Sequence, residues 1–295
     1  MAKKEKSSDG DFIPCGLREL AADQQVEAAE TAVRRNPLNR PRFLRRILEE
    51  DVATPQAIAV LTTKYWGTQG VRLGVFFMDN PPADLRARLL EHMNAWGAQA
   101  AVVFSESADS RAEVRIARTR GQGYWSYLGT DILLVPPSTP TMNLDGFTMS
   151  TPEAEYRRVV RHETGHTLGF PHEHLRTELV EQLDPLKTYE YFHRTYGWSA
   201  QQTRQQVLTP IPESQLTATA ADETSIMCYQ LPGSITKDGQ PIPGGPDINA
   251  QDAAFAASIY PAAAPPVPPA EGGGRIIVEY QGRVTAITGV KLEPG

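Results

Sequence analysis

The chain has 295 residues, 40% of them hydrophobic and 22% charged, which excludes a disordered, collagen-like or coiled-coil chain and leaves ample core for one large domain or two lobes. A net charge of −6 argues against nucleic acid or an anionic membrane surface as the main partner, and no apolar run reaches the ~18–20 residues of a membrane span. Two cysteines, Cys15 and Cys228, cannot make a disulfide framework, whereas four of the six histidines (His162, His166, His172 and His174) crowd into thirteen residues.

Residues 1–11 are polar and charged. No secretory signal is visible there, so the expected location is the cytoplasm, or outside the cell by a non-standard route. From Leu17 to Arg35 the apolar residues recur near helical spacing, predicting a helix. Pro37, Pro41 and Pro55 around the run Phe43–Leu48 predict a loop, a short helix and another loop. Val71–Phe77 reads as a strand, and residues 82–98 as an amphipathic helix with Leu85, Leu89, Leu90, Met93 and Trp96 on one face. Short strands are expected at 101–104, 114–117 and 132–135, and the glycine-bracketed segment 121–129 as an extended edge or loop.

Residues 151–168 predict the clearest helix, with Thr151 as its cap, Pro152 at the first helical position, and Glu153 and Glu155 in the first turn. A loop-rich stretch leads to a last helix near 250–260. The order of elements reads as α+β, strands and helices followed by a loop-rich lobe. Its divisions are an N-terminal helical region (1–60), a main domain (61–261), a Pro/Ala/Gly linker (262–274) and a short hairpin-like tail (275–295).

The chemistry concentrates at His162-Glu163-Thr164-Gly165-His166, followed by Gly169 and His172. On a helix, positions i and i+4 share a face, so His162 and His166 can point at one ion. Gly169 can end that helix in a left-handed conformation and return His172 as a third ligand. Three histidines with an open fourth position suit one catalytic Zn2+. Glu163, beside the first ligand, is placed to take a proton from zinc-bound water as it attacks a carbonyl.

These eleven residues resemble the metzincin zinc signature, whose second element is a methionine turn beneath the metal. Ser225-Ile226-Met227-Cys228-Tyr229 is similar to that turn, with Met227 lying 55 residues after His172. Glu173 directly after the third histidine, and Tyr229 two places after the methionine, resemble the astacin branch. So does the run HETGHTLGFPHEHLR. The likeness spans about Tyr65–Pro261, some two thirds of the chain. It implies a zinc metalloendopeptidase with His162, His166 and His172 as ligands, Glu163 as general base and Tyr229 as a switchable group that stabilises the oxyanion. Met227 would be the packing floor. The resemblance also implies a two-lobed metzincin-like fold with a mixed twisted sheet and a backing helix, 61–261 as the catalytic domain and 1–60 as a helical brace or pro-segment-like region. The plain alternative for Tyr229 is a buried core tyrosine.

The chain also departs from the pattern. Cys228 stands where the family's turn carries histidine, and Tyr124 where it carries cysteine, so the family's disulfides are missing. Glu173 has no evident new N-terminus to pair with, and a surface or buried salt bridge is the alternative. Cys15, in Ile13-Pro14-Cys15-Gly16, has three readings: an unpaired loop thiol, an inhibitory fourth zinc ligand, or a disulfide partner of Cys228. Tyr124, Trp125 and Tyr127 are candidates for the substrate groove. Arg157, Arg158 and Arg161 read as a solvated helix face. His174 is expected to face solvent or cap a carbonyl, and His92 and His193 to be incidental. Proteins or peptides are the expected partners of a monomeric enzyme. A zinc-bound pseudopeptidase used for binding, or a metallohydrolase of non-peptide amides, remains the alternative.

Overall fold

The computed structural model describes residues 15–41, 61–211 and 220–262, together with two strands at 276–280 and 283–287. The short helix expected at Phe43–Leu48 lies outside these. The chain divides into two units, 1–262 and 263–295. The second holds an antiparallel pair of strands, Ile276–Tyr280 and Arg283–Ile287, in which Tyr280 faces Arg283. Among the described residues no helix is long and apolar enough to cross a membrane.

The first unit is α+β. Its sheet comprises β1 (Gly16–Arg18), β2 (Val71–Phe77), β3 (Val102–Glu106), β4 (Val114–Ala117), β5 (Tyr124–Tyr127) and β6 (Met142–Leu144), in the spatial order β1-β5-β6-β4-β2-β3. Every neighbouring pair is parallel except β5 with β6. In β2 the period-two pattern of a strand with one inward face is plain, since Val71, Leu73, Val75 and Phe77 are buried. Those side chains meet α1 (Ala83–Met93), which buries Leu85, Leu89 and Met93 at helical spacing. Truncating Leu89, fully buried, to alanine costs about 2–5 kcal/mol.

The helix α2 runs over residues 153–167, with a π-helical turn at Tyr156–Val160 between two α-helical pieces. It lies against β5 and α1. Its cap is Pro152, not Thr151, whose hydroxyl instead accepts from the Thr148 N–H. Beyond α2 the chain builds a second apolar cluster around Leu179, Phe192, Val207 and Leu231. Phe192 belongs to α3 (Pro185–Tyr196), which starts with an Asp184 cap and stops at Gly197. The last helix, α4 (Ala250–Ile259), opens with a capping box of Asn249 and Asp252.

Two strand expectations and one helix boundary are corrected. Residues 132–135 are not a strand: a 3-10 helix covers Gly129–Leu134. Its geometry is set from outside, because the Thr130 N–H bonds the Lys64 carbonyl and Lys64 pairs with the buried Asp131 at 3.1 Å. Gly129 makes that approach feasible, having φ +47° and no room for a Cβ against the Lys64 carbonyl. Segment 121–129 is not an edge, since β1 covers β5. Leu17 lies in β1 rather than in the first helix, which begins only after Leu20 with a 3-10 turn and continues as Gln25–Arg35. Pairing with β5 outweighs the local helical preference.

Candidate metal centre

The π-helical turn of α2 buries Tyr156, whose hydroxyl donates to the Thr148 carbonyl at 2.9 Å. The turn after it carries His162, Glu163 and His166, all buried. At the far end Gly169 adopts φ +93°, and the Phe170 N–H returns to the Gly165 carbonyl at 2.9 Å. That reversal brings His172 back to the face carrying the other two histidines. Trp66 Nε1 and the Tyr260 hydroxyl donate to the carbonyls of Thr167 and Leu168, satisfying the end of the helix.

Three imidazoles converge there. Nε2 of His172 lies 3.0 Å from Nε2 of His166 and 3.3 Å from Nε2 of His162. The Nδ1–H of His162 donates to the Ile226 carbonyl at 2.6 Å, and that of His166 to the Phe170 carbonyl at 2.8 Å. These bonds fix the tautomers of His162 and His166 so that their Nε2 lone pairs face one another, while Nδ1 of His172 finds no partner among the described residues. Burial holds all three rings neutral, His162 at about 4 and the others well below the usual value. Facing lone pairs in a buried site repel unless a cation lies between them. Nitrogens each ~2.0–2.1 Å from one tetrahedral zinc sit about 3.3 Å apart, which this spacing matches. The donor set therefore fits zinc.

Glu163 is almost wholly buried, and burial pushes its carboxyl up to about 8 against the opposing effects of the Cys15 thiol and Arg158. Its Oε2 finds no partner among the described residues. The Cys15 thiol lies beside this carboxyl. Cys15 also completes a group with His162, His166 and His172, in which all four donor atoms lie within 4.8 Å of one another. Pairing of β1 with β5, in which Gly16 faces Trp125, carries Cys15 to that point. Both cysteines are free thiols, so Cys15 and Cys228 form no disulfide.

Tyr229 is buried with its ring 4.4 Å from that of His172 and stacked on His174 at 3.9 Å, and its hydroxyl donates to the Cys15 carbonyl. Met227 lies against α2 where Gly165 has no side chain: a Cβ there would come within 2.4 Å of the Met227 sulfur. Glu173 resolves as a partly buried partner of the buried Arg176 at 2.6 Å, and it also accepts the Asp222 N–H. His174 does not face solvent. It is buried, and its Nε2–H donates to the Gln206 carbonyl at 2.9 Å. Arg157 is half-exposed, whereas Arg158 and Arg161 are more covered and bonded to Glu155 and Asp247.

Among the described residues, one cavity adjoins the centre and another lies along β1. The first, of about 260 Å³, is lined by Tyr124, Arg158, Glu163 and Tyr229 and closed by the Pro243–Pro246 loop. The other, of about 520 Å³, runs along β1 between Tyr124 and Trp125 on one wall and Tyr196, Trp198 and Gln206 on the other. Tyr127 lines neither and packs with Leu20, Ala28 and Val135.

Sequence reasoning passed over Asp252. Its buried carboxylate accepts the Ser225 hydroxyl at 2.6 Å, the Ile226 N–H at 2.9 Å and the Asn249 N–H at 3.0 Å. It thus holds the turn whose Ile226 carbonyl orients His162. The spacing Asn249-Ala-Gln-Asp252 is a capping-box signal and was readable as such.

Residues 61–184 match the astacin peptidase family. Over 100 residues the chain is 33% identical to the zinc metalloproteinase nas-27 of Caenorhabditis elegans, an alignment covering 34% of this chain. It spans only 21% of that relative's length. Two structures of myroilysin, each 28% identical, superpose with TM-scores of 0.64 and 0.52. The first covers 68% of this chain and 97% of its own, the second 67% and 86%.

Proposed function

From the premise of an astacin-like domain in the metzincin fold, we propose that this protein is a zinc-dependent endopeptidase that hydrolyses peptide bonds in proteins, and that Cys15 holds it latent. The observation that carries the reading is the convergence of three neutral imidazoles beside the free oxygen of Glu163, with a thiol in the remaining approach.

His162, His166 and His172 would hold the zinc, which when bound acidifies water and polarises a carbonyl. Glu163 sits next to that position without being a ligand. It takes the proton from the attacking water and returns it to the departing amine. The Tyr229 hydroxyl already donates to a peptide carbonyl, that of Cys15. The same donor turned to the substrate carbonyl would stabilise the oxyanion as charge develops. Asp252 and the Ile226 carbonyl keep His162 in one tautomer and orientation. Met227 fills the space under α2 left by Gly165. The groove along β5, with Tyr124 and Trp125 on its wall, would take an extended peptide.

In the described conformation the Cys15 thiol lies within reach of the three histidines, where it would keep water from the metal, and β1 pairs with β5 along the groove. Latency follows, relieved by withdrawal or removal of that segment. A peptide-library digest read by mass spectrometry tests the whole reading. Zinc-loaded protein carrying Cys15→Ala, or treated with a mercurial, is expected to cut internal peptide bonds more than tenfold faster than untreated protein. Chelator or Glu163→Gln is expected to abolish cutting while Glu163→Gln leaves zinc content unchanged. Equal cleavage by Glu163→Gln would defeat the proposed chemistry. Zinc binding without any cut peptides would favour a binding module or a hydrolase of other amides.

A further inference from the structure

Across the groove from β5, the chain after α3 forms a short helical stretch, 200–208, whose π-helical turn Arg204–Leu208 carries Gln206. Its neighbours Thr203 and Val207 are fully buried and fix the turn, and the Gln206 carbonyl is held by His174. The Gln206 side chain is left to reach into the groove. There Oε1 accepts the Leu17 N–H at 3.3 Å, and Nε2 donates to the Leu17 carbonyl at 3.4 Å. In an extended chain the N–H and C=O of one residue point to the same edge. Leu17 therefore gives one edge of the segment to Gln206 while the other pairs with β5. No atom of the Leu17 side chain enters into these two bonds.

We propose that Gln206 is a positioning residue for the peptidase reaction, clamping the backbone of a bound polypeptide as it clamps Leu17. This rests on the peptidase reading above and extends it to how the substrate is held. A carboxamide carries one donor and one acceptor side by side. Turned by half a revolution about its last torsion it exchanges them, so it can serve a strand of either polarity. The clamp thus fits both the parallel segment seen here and a substrate running the other way. Because it reads backbone only, it adds affinity without selecting a side chain.

The test uses the full chain carrying Cys15→Ala, with a quenched fluorescent peptide and a series of that peptide N-methylated at one amide at a time. Gln206→Ala is expected to raise KM about tenfold, the effect of losing two neutral hydrogen bonds, with kcat within about twofold. One N-methyl position should raise KM strongly with Gln206 present and add little once Gln206 is alanine. In the chain that keeps Cys15, Gln206→Ala should also speed thiol modification of Cys15 severalfold, since the same clamp is lost. A structural role alone predicts additive N-methyl penalties at every position. Additive penalties, or a KM within twofold of the parent, would overturn the proposal. Absence of turnover in the Cys15→Ala parent would overturn the peptidase reading and this inference with it.

Discussion

Replacing Asp252 with alanine removes the one acceptor shared by the Ser225 hydroxyl, the Ile226 N–H and the Asn249 N–H. Asp252 is about 7% exposed, so the abandoned donors gain little from water. Hydrogen bonds to a charged acceptor contribute ~1.5–3 kcal/mol each, and a buried donor left unmade costs ~1–3 kcal/mol. These contributions overlap, and α4 loses its capping box at the same time. The expected loss is about 3–5 kcal/mol, equivalent to a fall in Tm of ~6–20 °C for a domain of this size. The damage should reach the metal as well. Ile226 donates its N–H to Asp252 and accepts from His162 with its carbonyl, so a loosened turn frees the imidazole. Zinc affinity should drop ~10–100-fold, as for other outer partners of a metal ligand. Thermal unfolding and competition with a chromophoric chelator measure the two effects. Asp252→Asn keeps an acceptor of nearly the same shape and should lose less than half as much. If Asp252→Ala lowers Tm yet binds zinc as tightly as the parent, the route from α4 through the turn to His162 is refuted.

Gly165→Ala should destabilise by about 1–3 kcal/mol, because its Cβ would meet the Met227 sulfur at 2.4 Å and the Trp96 ring at 3.2 Å. Combining it with Met227→Ala should recover part of the melting temperature, which a mere helix-propensity effect would not allow. Lys64→Met leaves the buried Asp131 carboxylate alone and should cost ~3–5 kcal/mol in urea unfolding, whereas Lys64→Met with Asp131→Leu should return most of it. Arg88 and Arg157 hold the exposed Glu153 carboxyl at about 2, below the usual 4.5. A depressed carboxylate stabilises above its unfolded value and loses that contribution as pH falls. Glu153→Gln should therefore lower the urea midpoint slightly at pH 7 and less near pH 2, where the carboxyl is half protonated in the folded protein, and an equal effect at both would exclude this cause.

The three converging histidines were legible because they lie within eleven residues and their spacing is a property of one helix and one turn. Tyr229 and Met227 were legible only through family likeness, since nothing local in Ser225–Tyr229 reveals what the turn lies against. Cys15 could be suspected from its loop, but its meeting with His162 depends on a three-residue strand, β1, that has no pattern of its own. The run Ile132–Val135 misled because it has strand composition. A positive φ at Gly129 and the distant Lys64 decide its conformation instead. The strand β6, Met142–Leu144, is too short to show alternation. Gln206 sits in a polar helical stretch where glutamines are unremarkable, and only the fold across the groove gives it a partner.

The pairing of β1 with β5 also bears on solubility. Strands at the border of a sheet present unpaired backbone groups on which another molecule can nucleate. While β1 is in place, the row of backbone groups along β5 is occupied from within the chain. A molecule activated by withdrawal of β1, as proposed above, would uncover that row together with the aromatic wall of Tyr124 and Trp125. It then depends on substrate, or on dilution, to keep two copies from zipping together. The same three residues thus act as a selvedge, and concentrated protein is best handled with them still sewn in.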